Sequence, residues 1–119
     1  MPLTRIDHVQ LAMPPGGEDA ARGFYAGLLG LNEVAKPAEL AGRGGCWFEA
    51  RQLRLHLGVE PDFRPAKKAH PALRVSGFSK LIDALREAGC LVSDEDRFDG
   101  APRVYLDDPF GNRIELIAD

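Results

Sequence analysis

The stretch Asp107-Asp108-Pro109-Phe110-Gly111-Asn112-Arg113-Ile114-Glu115-Leu116-Ile117 decides the fold. Asp-Pro and Gly-Asn are turn dipeptides. They separate two short runs of strand character, Arg103 to Leu106 and Arg113 to Ile117. In the second run Ile114 and Leu116 alternate with Arg113, Glu115 and Ile117, the period of a strand with one face on a core. Glu115 is thereby set inside a C-terminal strand, and a carboxylate inside a curled sheet is costly unless it is paired or bound to a metal. Its alternatives are therefore a metal ion or an arginine such as Arg113 or Arg54.

The same pattern occurs once earlier in the chain. Arg54-Leu55-His56-Leu57 matches Arg113-Ile114-Glu115-Leu116, and His56 falls where the later copy has Glu115. Working outward, each copy closes a similar series of elements. In the first half, residues 3–13 alternate from Ile6 onward and read as a strand with His8, Gln10 and Ala12 on its polar face. Pro14 to Gly17 end it. Glu18 to Leu29 has Ala21, Phe24, Tyr25 and Leu28 at helical spacing, stopped by Gly30, with Gly23 and Gly27 weakening the helix. Short strands follow at 31–35, 46–50 and 53–59. In the second half, His70 precedes a strand at 72–75. Phe78 to Ala88 is an amphipathic helix with a stripe of Phe78, Leu81, Ile82 and Leu85, capped by Gly89. A short strand is expected at 91–93, then a polar loop over 94–101, then the final two strands. Strand, helix and three strands thus appear twice, which predicts an α+β fold of two βαβββ modules, about 1–60 and 68–119, forming one domain of 119 residues.

The repeat also organises the titratable residues. The chain has three histidines, and all of them enter the pattern: His8 and His70 lie at the start of the two modules, His56 and Glu115 in their last strands. His and carboxylate side chains on separate strands converge if a sheet curls around them. Two His and one carboxylate leave open positions on an Fe, Mn, Co, Ni or Zn ion, and open positions distinguish a catalytic metal from a structural one. His56 is open between a fourth ligand, an acid/base group and an unligated pocket residue. Gln10 and Arg54 share strand faces with His8 and His56, and Arg74 shares parity with His70. All three are candidates to orient a polar substrate. Trp47 is a candidate to line its cleft, and Tyr105, like His56, is a candidate catalytic residue.

Composition narrows the partners. With 45% apolar and 28% charged residues the chain reads as an ordinary globular protein. A net charge of -3 and no basic run beyond Lys67-Lys68 argue against nucleic acid. No apolar run approaches membrane length, and no apolar run follows Arg5 as a signal peptide would require. A cytoplasmic protein is expected, with Cys46 and Cys90 as reduced thiols.

Four segments carry a resemblance: Ile6-Asp-His-Val-Gln-Leu-Ala12, Phe24-Tyr-Ala-Gly-Leu-Leu-Gly-Leu31, His70-Pro-Ala-Leu-Arg-Val75 and Asp108-Pro-Phe-Gly-Asn-Arg-Ile-Glu-Leu116. In order and spacing the chain resembles the vicinal oxygen chelate superfamily, which includes glyoxalases, bleomycin resistance proteins and dioxygenases. The resemblance implies paired βαβββ modules curled around one divalent metal, with ligands at His8, His70 and Glu115. It also implies a homodimer, and a small oxygen-rich substrate activated by Lewis-acid chemistry. Glyoxalase-type isomerases commonly carry glutamate where this chain has His56, which would then be the base. Fosfomycin-type thiol transferases share the His, His, Glu triad and a tyrosine at the position of Tyr105, but have a basic residue beyond the last strand, where this chain has Ala118 and Asp119. Extradiol dioxygenases use the same ligands on Fe(II), usually in longer chains. Bleomycin-binding relatives lack the ligands and hold an antibiotic in an apolar cleft, for which Trp47, Phe48 and Tyr105 are suited.

Overall fold

The computed structural model describes all 119 residues as two units, Met1–Arg64 and Pro65–Asp119. Unit 1 contains β1 (Val9–Met13), α1 (Glu18–Ala21), β2 (Asn32–Val34), β3 (Cys46–Ala50) and β4 (Leu53–Val59). Its sheet runs β1-β4-β3-β2, with β1 parallel to β4 and the other pairs antiparallel. Unit 2 contains β5 (Ala72–Val75), α2 (Phe78–Glu87), β6 (Asp96–Phe98), β7 (Ala101–Asp107) and β8 (Arg113–Ala118). Its sheet runs β5-β8-β7-β6 with the same pairing senses. The twofold βαβββ plan read from the sequence is therefore present in both units.

The alternation that defines β4 and β8 divides their faces. Leu55 and Leu57, and Ile114 and Leu116, are buried toward the cores. Each such side chain contributes roughly 1.5–3 kcal/mol. His56 and Glu115 project from the opposite faces by the strand period, and both are also buried. That combination makes them conspicuous.

Four local expectations are corrected. The first strand begins at Val9, because its ladder to β4 starts with Val9 opposite Leu55; His8 precedes it and is exposed. The helix over 18–29 is α-helical only through Ala21 and continues as a π-helical segment over Arg22–Leu28, closed by the Leu29 N–H donating to the Phe24 carbonyl at 2.9 Å. Gly23 and Gly27 make the widened turn sterically easy, and the adjacent Phe24 and Tyr25 both become buried. Leu91–Ser93 is not a strand: it touches β7 through a single bridge between Val92 and Leu106. The third pairing strand of unit 2 is instead β6, inside the segment expected to be loop. Its three residues are all exposed, so no apolar alternation announced it.

Cys46 is buried and Cys90 half-buried, both as free thiols. Burial pushes the Cys46 thiol up to about 11, so it is inert near neutrality.

Candidate functional site

In unit 2 the turn that opened the sequence reading builds the site. The buried Asp108 carboxylate accepts hydrogen bonds from the backbone N–H groups of Phe110 and Asn112, both at 2.9 Å, and from the Asn112 side-chain amide at 3.0 Å. Asn112 Oδ1 in turn accepts from the Ala66 N–H at 3.2 Å, while the Arg113 N–H donates to the Ala66 carbonyl and the Glu115 N–H to the Pro71 carbonyl. The connector carrying His70 is thus pinned to β8 on both sides of the histidine.

His70 Nδ1 lies 2.7 Å from the Lys68 carbonyl oxygen. A carbonyl only accepts, so Nδ1 carries the proton. His70 Nε2 then faces Glu115 Oε1 at 2.9 Å. A neutral imidazole in this tautomer would set two lone pairs against each other; only a positive charge between them, a proton or a metal ion, satisfies both. The other carboxylate oxygen, Oε2, accepts from Arg103 Nη1 at 3.4 Å. Tyr105 is the cross-strand neighbour of Glu115. Its ring meets His70 edge-on at 5.5 Å and lies under the Arg113 guanidinium at 4.0 Å.

Unit 1 answers with an aromatic stack. Trp47 and Gln10 flank His56 in the sheet. The Trp47 ring lies 3.9 Å from the His56 ring at an interplanar angle of 3°, and His8 stacks on the other side at 4.2 Å and 21°. Burial, and then the neighbouring His8, hold His56 below the ordinary histidine value, which favours the neutral ring. His8 Nδ1 meets Asp7 Oδ1 at 2.9 Å, leaving its Nε2 uncommitted. Asp7 also accepts from Arg54 at 3.4 Å, so Arg54 supports the partner of His8. The hydrogen bond from His8, and more weakly Arg54, hold the Asp7 carboxyl below its ordinary value. Gln10 lies over Gly58, where a Cβ would come 2.6 Å from Gln10 Nε2, the movable end of an exposed side chain.

The donor set fits a divalent metal. His8 and His70 both have Nδ1 held by an oxygen, an arrangement that outer-shell acceptors impose on metal-binding histidines; Nε2 is open in His8 and faces Glu115 Oε1 in His70. Glu115 supplies a buried carboxylate. No three His, Cys, Asp or Glu side chains gather in metal-binding range; the structure brings His8 and His56 together in unit 1 and His70 and Glu115 together in unit 2. Arg74 is spent on the Ala118 carbonyl at 3.0 Å and is exposed. The sequence reading did not single out Arg103, Asp96 or Asp7. Arg103 and Tyr105 share strand parity with Glu115, the one signal that pointed to Arg103.

The model of the glyoxalase-like domain family matches residues 15–117. This chain belongs to that family, within the vicinal oxygen chelate superfamily. Among solved structures, this glyoxalase-like domain is 44% identical to a protein from Bacillus anthracis assigned to the glyoxalase family, covering 98% of this chain and 96% of that one with a TM-score of 0.92. A glyoxalase/dioxygenase from Nostoc punctiforme is 25% identical over 99% and 92% of the chains, with a TM-score of 0.81. A lactoylglutathione lyase from Agrobacterium tumefaciens shares the fold at 19% identity, TM-score 0.76, over 99% and 96% of the chains. No curated protein matches the sequence. No helix of this glyoxalase-like domain is long and apolar enough to cross a membrane.

Proposed function

We propose that this glyoxalase-like domain is a metal-dependent enzyme acting on a small oxygen-rich molecule, with His8, His70 and Glu115 as ligands of one divalent ion. The observation that carries the reading is the His70 tautomer: the Lys68 carbonyl fixes the proton on Nδ1, so Nε2 and Glu115 Oε1 present two lone pairs to one cation. A metal bound there would supply Lewis-acid polarisation of substrate oxygens and stabilise enediolate or alkoxide charge.

The remaining residues divide the other tasks. His56, kept neutral by burial between Trp47 and His8, is the group suited to accept a proton from the substrate. Arg113 has no carboxylate partner and sits 4.0 Å over the Tyr105 ring, whose edge meets His70, which suits it to bind a substrate oxygen. Arg54 acts through Asp7 on the orientation of His8. Trp47 and Tyr105 provide the apolar walls, and the working unit in this reading is a cytoplasmic homodimer.

One observation favours a second reading, a metal-free small-molecule or antibiotic binder. A proton between His70 and Glu115, together with Arg103, also closes the charge balance of the buried carboxylate. Elemental analysis separates the two. Protein purified without chelator is expected to hold near-stoichiometric Fe, Mn, Co, Ni or Zn, and His8→Ala and Glu115→Ala are each expected to abolish it. Absence of metal in the native protein, with no uptake of any of the five on titration, overturns the enzyme reading in favour of the binder.

A further inference from the structure

Arg103 has no part in the ligand set, yet it is the most elaborately held charge in unit 2. Its Nε donates to Asp96 Oδ1 at 2.9 Å and its Nη2 to Asp96 Oδ2 at 2.8 Å, a bidentate fork. The same guanidinium packs beside the Tyr105 ring at 5.0 Å and the Phe98 ring at 5.6 Å. With three of its directions fixed in this way, Nη1 is left aimed at Glu115 Oε2 at 3.4 Å. Arg103, at 19% exposure, and Glu115, at 8%, are withdrawn from water, while Asp96 is 59% exposed. The two oxygens of Glu115 therefore have different and non-exchangeable neighbours: Oε1 has His70 Nε2, and Oε2 has Arg103.

We infer that Arg103 is a positioning residue that makes Glu115 a one-oxygen ligand. It fixes the carboxylate rotamer and reserves Oε2, so that only Oε1 is offered to the cation shared with His70. Asp96 on β6 is the anchor of Arg103. This rests on the metal reading above. It explains why the position carries arginine: a lysine is a point charge that cannot grip both oxygens of Asp96 and reach Glu115 at once. It also assigns a purpose to β6, whose three residues are all exposed but which carries both Asp96 and Phe98.

The test uses the full chain, stripped of metal and titrated with Co(II), whose visible absorption reports the number of ligands as well as occupancy. Arg103→Gln is expected to weaken Co(II) binding by about 10–100-fold, the usual range for outer-shell partners of a metal ligand, and to change the absorption envelope as Glu115 gains freedom to bind through both oxygens. Arg103→Lys is expected to restore neither. Asp96→Asn, a change at an exposed side chain, is expected to act in the same direction by a smaller factor and serves if Arg103→Gln does not fold. Wild-type affinity and an unchanged Co(II) spectrum in folded Arg103→Gln, or in Asp96→Asn, overturn the inference; so does full rescue by Arg103→Lys, which would reduce the role to bare charge. A wild-type chain that takes up no Co(II) removes the metal reading itself and this inference with it, an outcome separate from a loaded wild type with an indifferent variant.

Discussion

His56 and Glu115 occupy the same place in the two modules. Each stands on the last strand between two core leucine or isoleucine residues, each has an aromatic cross-strand neighbour, Trp47 or Tyr105, and each is joined by a histidine that precedes the first strand of its module, His8 or His70. Yet the surroundings are opposite in kind. His56 is buried by rings on both faces and held neutral. Glu115 is buried among His70 and Arg103, with charge answering charge. The position two residues before the aromatic shows why. Unit 2 has Arg103 there; unit 1 has Gly45, with φ of 85° and a hypothetical Cβ only 2.2 Å from the Leu57 carbonyl oxygen. The repeat fixes where a polar group emerges from the sheet. The neighbouring positions decide whether that group can be charged.

The comparison is broken most directly at Gly45. Gly45→Ala is expected to destabilise the protein by about 2–4 kcal/mol, through the positive φ and the backbone clash together, read as a lowered urea midpoint with unchanged slope. A loss below about 0.5 kcal/mol, the range of indifferent surface changes, would mean that unit 1 has room for a counterpart of Arg103 after all.

The next test moves the acid of unit 2 into unit 1. His56→Glu, measured in chelator, is expected to cost about 1–3 kcal/mol, because the new carboxylate meets two rings and no guanidinium. Unchanged stability would show that the stack region is wet enough to solvate a charge.

A smaller effect is expected on the charged side. The Arg103 hydrogen bond holds the Asp96 carboxyl below its ordinary value. A carboxyl with a depressed folded value binds protons more readily in the unfolded chain, so its contribution is present above about pH 4 and is lost as pH falls further. The Tm gap between wild type and Asp96→Asn should therefore be open at pH 6 and narrow progressively as pH falls below the ordinary carboxyl value of about 4. A gap that stays constant over that fall would show that the ion pair contributes nothing in solution.

How much of this was legible follows the same line. The bounds of β3, β4 and β5 were readable because apolar alternation or turn residues mark both ends. The Asp108–Asn112 turn was readable from its dipeptides, and it carries His70 into contact with Glu115 as well as turning the chain. β6 was not legible, because Asp96, Arg97 and Phe98 are all exposed and leave no hydrophobic period. Missing β6 hid Asp96, and without Asp96 nothing in the sequence separated Arg103 from Arg113, although one is clamped between two carboxylates and the other is free of them. The π-helical turn escaped for a different reason: Ala21, Phe24, Tyr25 and Leu28 suit a 3.6-residue period well enough that a wider turn leaves no mark on the pattern. The histidines were found by counting, but that His8 and His56 stack face to face depends on where the chain enters β1, which the alternation from Ile6 placed too early.

Trp47 offers the finest discrimination between the two halves. It is the one tryptophan in the chain, and its ring lies parallel to His56, which in turn stacks on His8. A paramagnetic ion ligated by His8 is therefore expected to quench Trp47 emission at short range, while an ion confined to His70 and Glu115 has no such stacked route in unit 2, where the corresponding residue is Tyr105. Titrating the chelator-stripped protein with Ni(II) should give quenching that saturates near one equivalent. If one ion is shared by both halves, His8→Ala and Glu115→Ala should each remove that saturable phase, although Glu115 belongs to the other unit. Quenching that survives Glu115→Ala but not His8→Ala would place the ion on the His8–His56 side alone. The stack, and not the carboxylate half, would then be the seat of metal binding.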